Sequence, residues 1–288
     1  VNKKVVMEYK LLKAQREFLE IPHNYSMDVA VYQGGYGSGK TFAGSLLGIL
    51  LALKYPGIRG LVGAQTYTLV RDTTLQSYFE HLENIGFTDG VDYEWSSSLQ
   101  KLTFKNGSEI LFRHFDEPNK LKSLNLGFVE IEEMSDIPYD TFKVLLSRMR
   151  QRVKKTWKNF TYRIFGHTNP EMQRGWVYKT FVENPAPNYR LISAPTTQNI
   201  YLPEGFCDEL KKIYDEQYYR IFVLAQNGEY NNRLVVRGFT DENVKDIAYQ
   251  QEMDLHISCD FNVDPMCWVF AHKTEDKVFY FDEIAMEN

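Results

Sequence analysis

The stretch of sequence that decides the fold is residues 34–41, which read Gly34-Gly35-Tyr36-Gly37-Ser38-Gly39-Lys40-Thr41. It fits GxxxxGK[ST], a pattern whose glycines let successive backbone N–H groups turn toward phosphate oxygens. The pattern needs a strand before it and a helix after it, and residues 27–32 and 42–55 have those characters. A glycine-rich turn that matches by chance is the alternative, and these flanks disfavour it. The stretch therefore predicts a phosphate-binding loop (P-loop).

The loop also predicts the ligand, which we expect to be ATP with Mg²⁺. The helix that begins near Lys40 adds the positive end of its dipole to the backbone amides of the loop. The Lys40 ammonium is expected to reach the β- and γ-phosphates, and the Thr41 hydroxyl to join the Mg²⁺ shell. The loop residues predicted to bind the nucleotide are Gly34, Gly35, Gly37, Ser38, Gly39, Lys40 and Thr41.

A hydrophobic run that ends in acids supplies candidates for hydrolysis. Residues 128–133 read FVEIEE. An ATPase needs one acid near its metal ion and another that activates water, so we predict that Glu132 binds the metal and Glu133 polarises the attacking water. Glu130 is either a further acid behind the site or an ordinary strand residue. An exposed acidic strand end is the alternative, and the apolar approach to the acids disfavours it.

The rest of the chain reads as alternating strands and helices, followed by a second region. Alternation through residues 59–193 predicts an α/β fold with a mostly parallel sheet, whose ligands lie at the carboxyl ends of the strands. Asn106-Gly107 predicts a hairpin within it. Residues 203–226 read as a pair of helices. Residues 255–261, 266–272 and 278–284 then read as an antiparallel meander that opens a second domain.

Composition limits the class of protein. The net charge of -5 and a pI near 5.8 disfavour a protein that coats nucleic acid with its whole surface, without excluding a local basic track. Three cysteines without CxxC spacing disfavour a zinc site or a disulfide framework. No signal peptide is recognisable, and the longest apolar run, residues 45–53, is too short to span a bilayer. We therefore expect a soluble intracellular protein without a membrane partner.

Four further segments, in this order and spacing, resemble the large terminase subunit of tailed bacteriophages. The P-loop of residues 34–41 corresponds to the family's Walker A segment. Residues 131–150 look like its Walker B segment, with Glu-Glu in place of Asp-Glu. GHTNP at 166–170 is similar to its coupling motif, and RIFVLAQNGEY at 220–230 to its lid segment. SCDFNVDP at 258–265 looks like the first strand of its nuclease domain. The resemblance covers nearly the whole chain.

The resemblance implies an architecture and further site residues. The fold is an ASCE-type P-loop NTPase over residues 1–195, a lid or linker subdomain over 196–250, and the start of an RNase H-like domain over 251–288. By the resemblance, Gln15 is expected to contact adenine, and an amide offers the donor and the acceptor for this; a surface glutamine is the alternative. Thr168 and Asn169 sense the γ-phosphate, although an ordinary Asn-Pro turn is the alternative. Asp260 is the first nuclease acid for Mg²⁺ or Mn²⁺, with Asp264, Asp282 and Glu283 as further candidates.

The resemblance also implies a function and partners. ATP hydrolysis drives double-stranded viral DNA into a procapsid in the host cytoplasm, and a metal-dependent endonuclease cuts the DNA. The partners are a small terminase subunit, a portal protein and further copies of the chain in a ring. A helicase-like DNA-remodelling ATPase and a slow nucleotide-dependent switch are the alternatives; Glu133 disfavours the switch. The remaining nuclease acids fall beyond residue 288, so we expect the chain as given not to cleave DNA.

Two basic features stay open at this point. The family uses an arginine finger, and the candidates here are Arg71, Arg148 and Arg150, with Lys120 and Lys122 nearby. Residues 148–163 contain seven Lys or Arg residues and no acid. This stretch is either a DNA contact, which needs sequence-independent phosphate binding, or a solvated helix end.

Overall fold

The computed structural model describes residues 9–20, 22–116, 121–170, 175–227, 243–260 and 266–286. The chain divides into two compact units, Val1–Tyr230 and Asn231–Asn288. The first contains an eight-stranded sheet and the second a three-stranded sheet. A subdomain boundary at residue 195 and a domain start at residue 251 stay predictions.

The strands and helices have the following bounds. The strands are β1 Met27–Gly34, β2 Arg59–Ala64, β3 Tyr93–Ser96, β4 Lys101–Phe104, β5 Glu109–His114, β6 Phe128–Glu132, β7 Tyr162–Thr168, β8 Tyr189–Ala194, β9 Leu255–Asp260, β10 Met266–Lys273 and β11 Val278–Met286. The helices are α1 Lys13–Leu19, α2 Lys40–Lys54, α3 Tyr67–Leu69, α4 Leu75–Asn84, α5 Tyr139–Leu146, α6 Trp176–Tyr178, α7 Phe206–Ile213 and α8 Glu216–Phe222. Short π-helical segments lie at Val70–Thr74 and Lys179–Glu183, and 3₁₀ turns at Met134–Asp136 and Thr196–Gln198.

The sheet of the first unit has the strand order β3-β4-β5-β2-β6-β7-β1-β8. In this order, the neighbouring strands β5, β2, β6, β7, β1 and β8 pair in parallel. Only the β3-β4-β5 end of the sheet is antiparallel. The predicted α/β fold with a mostly parallel sheet is therefore confirmed. Because β6, β7 and β1 are neighbours, their carboxyl ends meet at one edge, where the P-loop follows β1.

The sheet is buried on both faces, as parallel sheets are. On β1, Ala30 and Tyr32 belong to the core cluster that includes residues of α1, α2 and α4, whereas Val29 and Val31 belong to the cluster that includes residues of α5. Alternating side chains of one strand thus face two cores. This layering packs α2 against one face of the sheet, and the P-loop joins α2 to the carboxyl end of β1.

The sequence predicts a helix over residues 69–85, a helix over residues 140–150 and a strand over residues 160–165, and the structure gives each of them other bounds. The helix predicted at 69–85 begins at Tyr67 and contains the π-helical segment Val70–Thr74. The helix predicted at 140–150 ends at Leu146. The strand predicted at 160–165 runs as far as Thr168, because β6 and β1 pair with it on both sides through its polar end.

The second unit contains the predicted antiparallel meander, with β10 between β9 and β11. His272 on β10 is buried; its Nε2 accepts from Gln250 N–H, and its Nδ1 donates to the Asp254 carbonyl at 3.0 Å. These bonds connect the segment before β9 to the sheet. Over the described parts of both units, no helix is long and apolar enough to cross a membrane.

Candidate nucleotide-binding site

The P-loop joins the end of β1 to the start of α2, as predicted. Gly37 and Gly39 have positive φ values of 73° and 77°, which glycine adopts without strain. Gly39 is also the residue before α2, and a Cβ on it would lie 2.5 Å from Gln15 Nε2. A side chain at position 39 would therefore collide with Gln15.

Residues that follow β8 form hydrogen bonds with the backbone of the P-loop. The Tyr36 amide donates to the Phe222 carbonyl at 2.7 Å, and the Tyr36 carbonyl accepts from the Thr196 hydroxyl at 2.8 Å. Asn199 Nδ2 donates to the Gly37 carbonyl at 2.7 Å. The Tyr36 ring stacks on Phe222 with centroids 5.1 Å apart. The backbone of residues 36 and 37 is thus fixed by the segment 196–222.

Lys40 lies where three strand ends meet. Its Nζ donates to Asn169 Oδ1 at 2.9 Å, and Glu133 Oε1 lies 3.9 Å from the same nitrogen. Asn169 follows β7 and Glu133 follows β6. The Thr168 hydroxyl is fully buried and bonded to Ser135 at 2.7 Å, so Asn169 is the member of the predicted pair that faces Lys40.

Glu133 has a backbone conformation that is rare outside glycine, with φ at 45°. Such conformations cost about 1–3 kcal/mol and cluster at functional sites. Burial raises the pKa of the Glu133 carboxyl, and the attraction of Lys40 only partly offsets this. A raised carboxyl pKa suits a group that accepts a proton from water.

Glu132 ends β6 in a buried polar network. Its Oε2 accepts from the Thr74 hydroxyl at 2.5 Å, and its Oε1 lies 3.2 Å from His167 Nδ1, an ion-pair distance without hydrogen-bond alignment. His167 Nε2 donates to Glu130 at 3.1 Å, and Glu130 also accepts from Tyr78 at 2.7 Å. The structure thus shows Glu130 as a buried acid behind Glu132.

The charges of this network shift its pKa values. Burial by itself lowers the pKa of His167, but Glu132 and Glu130 outweigh burial and raise it to about 10. Burial by itself raises the pKa of Glu132, but His167, the hydrogen bond from Thr74 and the Lys40 charge together outweigh it, so this carboxyl has a lowered pKa. The two carboxylates thus favour the charged form of the His167 imidazole.

Thr74, Tyr78 and His167 were not among the residues predicted for the site. A sequence signal exists only for His167, which lies within the GHTNP segment 166–170. The structure places His167 in register with Glu132. Thr74 and Tyr78 lie in the helical region that follows β2, and nothing in their local sequence indicates that they contact the acids of β6.

Gln15 lies beside a cavity of about 390 Å³ at the start of α2. Its Oε1 accepts from Leu12 N–H at 3.0 Å and its Nε2 donates to the Gly39 carbonyl at 3.2 Å. One lone pair and one hydrogen of the amide remain, which are what an adenine edge requires. The cavity is lined by Tyr9, Lys10, Gln15, Gly39, Phe42, Asn199 and Tyr201.

The arginine-finger candidates lie at different edges of the sheet. Arg71 follows β2 and lies on the P-loop edge, where it pairs with Asp72 at 2.6 Å. Arg148 and Arg150 lie beside the segment that enters β6, at the opposite edge; Arg150 Nε donates to Asn125 at 2.7 Å. Lys120 lies outside the described residues.

The basic stretch 148–163 includes one residue that cannot touch DNA. Arg163 is fully buried on β7, and its Nη2 lies 2.6 Å from the buried Asp28 carboxylate. Trp157 is also buried, with Nε1 donating to the Pro56 carbonyl at 3.1 Å. Both interpretations of the stretch, a DNA contact and a solvated helix end, are therefore wrong for Arg163.

The predicted nuclease residues lie in the second unit. Asp260 ends β9 opposite Cys267 of β10, while Asp282 and Glu283 lie on β11. Asp264 is outside the described residues. A metal site built from these acids stays a prediction.

The fold and the loop place the first unit in the class of P-loop proteins. Residues 26–226 match the family model for the phage terminase large subunit. The PBSX phage terminase large subunit of Bacillus subtilis (strain 168) is 32% identical over 226 residues, which are 71% of this chain and 50% of that protein. The chain therefore belongs to the phage terminase large subunit family, and it spans half the length of this curated relative.

Solved structures share the fold. The large terminase of a thermophilic bacteriophage, in complex with ADP, aligns with a TM-score of 0.64 at 14% identity, over 96% of this chain and 68% of that one. The HK97 bacteriophage large terminase aligns with a TM-score of 0.54 at 14% identity, over 96% and 64%. At these identities the likeness establishes the fold alone.

Proposed function

We propose that the chain binds ATP with Mg²⁺ and hydrolyses it to drive double-stranded viral DNA into a procapsid. The observation that carries this proposal is the meeting of Lys40, Asn169 and Glu133 at the end of the P-loop. A lysine for phosphate, an amide beside it and a carboxylate with a raised pKa are the groups that nucleotide hydrolysis requires.

The residues present fit ATP. The amide of Gln15 keeps a donor and an acceptor toward the cavity beside Gly39, which suits the adenine edge. The P-loop backbone between the two positive-φ glycines, with the start of α2, suits the phosphates. The terminase of the thermophilic bacteriophage was solved with ADP, which agrees with this assignment.

The residues also fit Mg²⁺, which prefers oxygen ligands. The Thr41 hydroxyl lies in the first turn of α2, and the Glu132 carboxylate ends β6, two strands from β1. When bound, Mg²⁺ neutralises charge that develops on the phosphates. In this proposal Lys40 holds the β- and γ-phosphates, Glu133 accepts a proton from the attacking water, and Asn169 responds to the γ-phosphate through Lys40.

The wider function rests on family membership. We propose that the chain acts in a ring of identical subunits with a portal protein and a small terminase subunit in the host cytoplasm. We further propose that the second unit begins a metal-dependent endonuclease domain, with Asp260 as a ligand for Mg²⁺ or Mn²⁺. The antiparallel meander of β9, β10 and β11 supports this assignment.

The test is ATP hydrolysis by the purified chain, with and without double-stranded DNA, in wild type and in Glu133→Gln. Positioned acid–base groups contribute about 10²–10⁴-fold, so we expect Glu133→Gln to lower kcat at least about 100-fold with little change in ADP affinity. Asp140→Asn is the control, because Asp140 is an exposed acid of α5 paired with Lys143. Equal turnover in wild type and Glu133→Gln would refute the role of Glu133, and a wild type that neither binds nor hydrolyses ATP would refute the proposal.

A further inference from the structure

Both oxygens of the Glu132 carboxylate are held by other side chains. The Thr74 hydroxyl donates to Oε2 at 2.5 Å, and Nδ1 of His167 lies 3.2 Å from Oε1. The Glu132 side chain is 3% exposed, and Thr74 and His167 are fully buried. The carboxylate therefore has one fixed orientation at the end of β6.

Thr74 reaches Glu132 from a distant part of the chain. It is the last residue of the π-helical segment Val70–Thr74, which joins α3 to α4. A π-helical turn inserts a residue and changes the direction of the side chains around it, and such turns occur frequently at functional sites. Ser77, on the next turn, bonds instead to Ser45 on α2 at 2.6 Å.

His167 is itself fixed from its other side. Its Nε2 donates to Glu130, which also accepts from the Tyr78 hydroxyl. Helix α2 leaves room for this pair, because a Cβ on Gly44 would lie 2.4 Å from Glu130 Oε1 and 2.7 Å from His167 Cδ2. The imidazole ring is thus held between two carboxylates and a glycine.

We propose that Thr74 and His167 are positioning residues that orient Glu132 for the nucleotide-bound metal ion. The inference rests on the proposed function, because it needs a metal beside Glu132. Each oxygen of a carboxylate has two lone pairs, so Oε2 keeps one for a further ligand after accepting from Thr74, and Oε1 keeps both beside His167. Groups that orient a metal ligand typically contribute about 10–100-fold to metal affinity or activity.

The first test compares Thr74→Val with Thr74→Ser. Valine keeps the shape and removes the hydroxyl, whereas serine keeps the hydroxyl. We expect Thr74→Val to weaken Mn²⁺ binding to the chain–ADP complex at least about tenfold, measured by electron paramagnetic resonance, with ADP binding in EDTA unchanged. Thr74→Ser should restore Mn²⁺ affinity. Ser77→Ala is the matched control, since it removes a hydroxyl of α4 that does not touch Glu132.

The second test separates the two nitrogens of His167. Asparagine places its amide near the position of Nδ1, which faces Glu132, and glutamine places its amide near the position of Nε2, which faces Glu130. We expect His167→Asn to retain more Mn²⁺ affinity than His167→Gln. Thermal unfolding identifies any variant that fails to fold, and the Thr74 comparison then decides alone.

The outcomes distinguish this inference from the proposed function. If wild type binds Mn²⁺ with ADP but Thr74→Val binds it equally well, or loses no more affinity than Ser77→Ala, the positioning role is refuted while the proposed function stands. If wild type binds neither ADP nor Mn²⁺ with ADP, the proposed function fails first. Equal Mn²⁺ affinity in the two folded His167 variants would remove His167 from the inference.

Discussion

Replacing Gly48 by alanine tests whether α2 needs a glycine where it crosses α4. A Cβ at this position would lie 1.7 Å from Tyr78 Oη and 2.8 Å from Cζ. Carbon and oxygen atoms need about 3.5 Å between them, so the Tyr78 hydroxyl has to move by about 2 Å. A movement of that size breaks its 2.7 Å bond to Glu130.

The expected cost follows from three effects. Overpacking costs about 1–3 kcal/mol, and leaving the buried Glu130 without this donor costs about 1–3 kcal/mol. Alanine is favoured over glycine inside a helix by about 1 kcal/mol. We therefore expect Gly48→Ala to lower the free energy of unfolding by about 1–5 kcal/mol.

The assay is urea unfolding followed by circular dichroism, in a cycle with Tyr78→Phe. Phenylalanine lacks the atom that collides most closely, so Gly48→Ala should cost at least about 1 kcal/mol less in that background, as expected for residues in contact. Equal cost in both backgrounds would refute the collision with the hydroxyl. No loss of stability in Gly48→Ala alone would refute the packing of α2 against Tyr78.

Two further predictions concern buried charge. Arg163→Met should lower the free energy of unfolding by about 3–5 kcal/mol, because among the described residues it leaves the buried Asp28 carboxylate only Arg190, at 3.2 Å, as a cationic partner. A loss below about 1 kcal/mol in urea unfolding would contradict this. Burial lowers the pKa of His81 from 6.5, so the unfolded chain binds more protons and stability falls as pH drops below about 6.5. The fall between pH 7.5 and 5.5 should be smaller in His81→Gln, and an equal fall in both proteins would rule out this origin.

The P-loop and its flanks could be predicted because their signals are local. Glycine spacing, a hydrophobic strand and a lysine at a helix start are contiguous in the chain. The apolar run at Arg59–Ala64, just after Pro56 and Gly57, predicts a strand with the bounds that the structure shows. The acids of residues 128–133 were visible for the same reason.

The remaining features depend on contacts that are distant in sequence. His167 and Thr168 are polar and lie beyond the strand predicted at 160–165, yet pairing with β6 and β1 buries them in β7. Arg163 reads as part of a basic surface, and only the position of Asp28 on β1 explains its burial. Thr74 joins Glu132 through a helical irregularity that helix periodicity does not reveal.

The support of the P-loop by residues 196–222 has a consequence for the entropy of association. A glycine-rich loop ordinarily loses many backbone conformations when a ligand orders it. Here hydrogen bonds to Phe222, Thr196 and Asn199 already restrict Tyr36 and Gly37. A ligand that meets this preorganised loop keeps more of its interaction free energy as affinity.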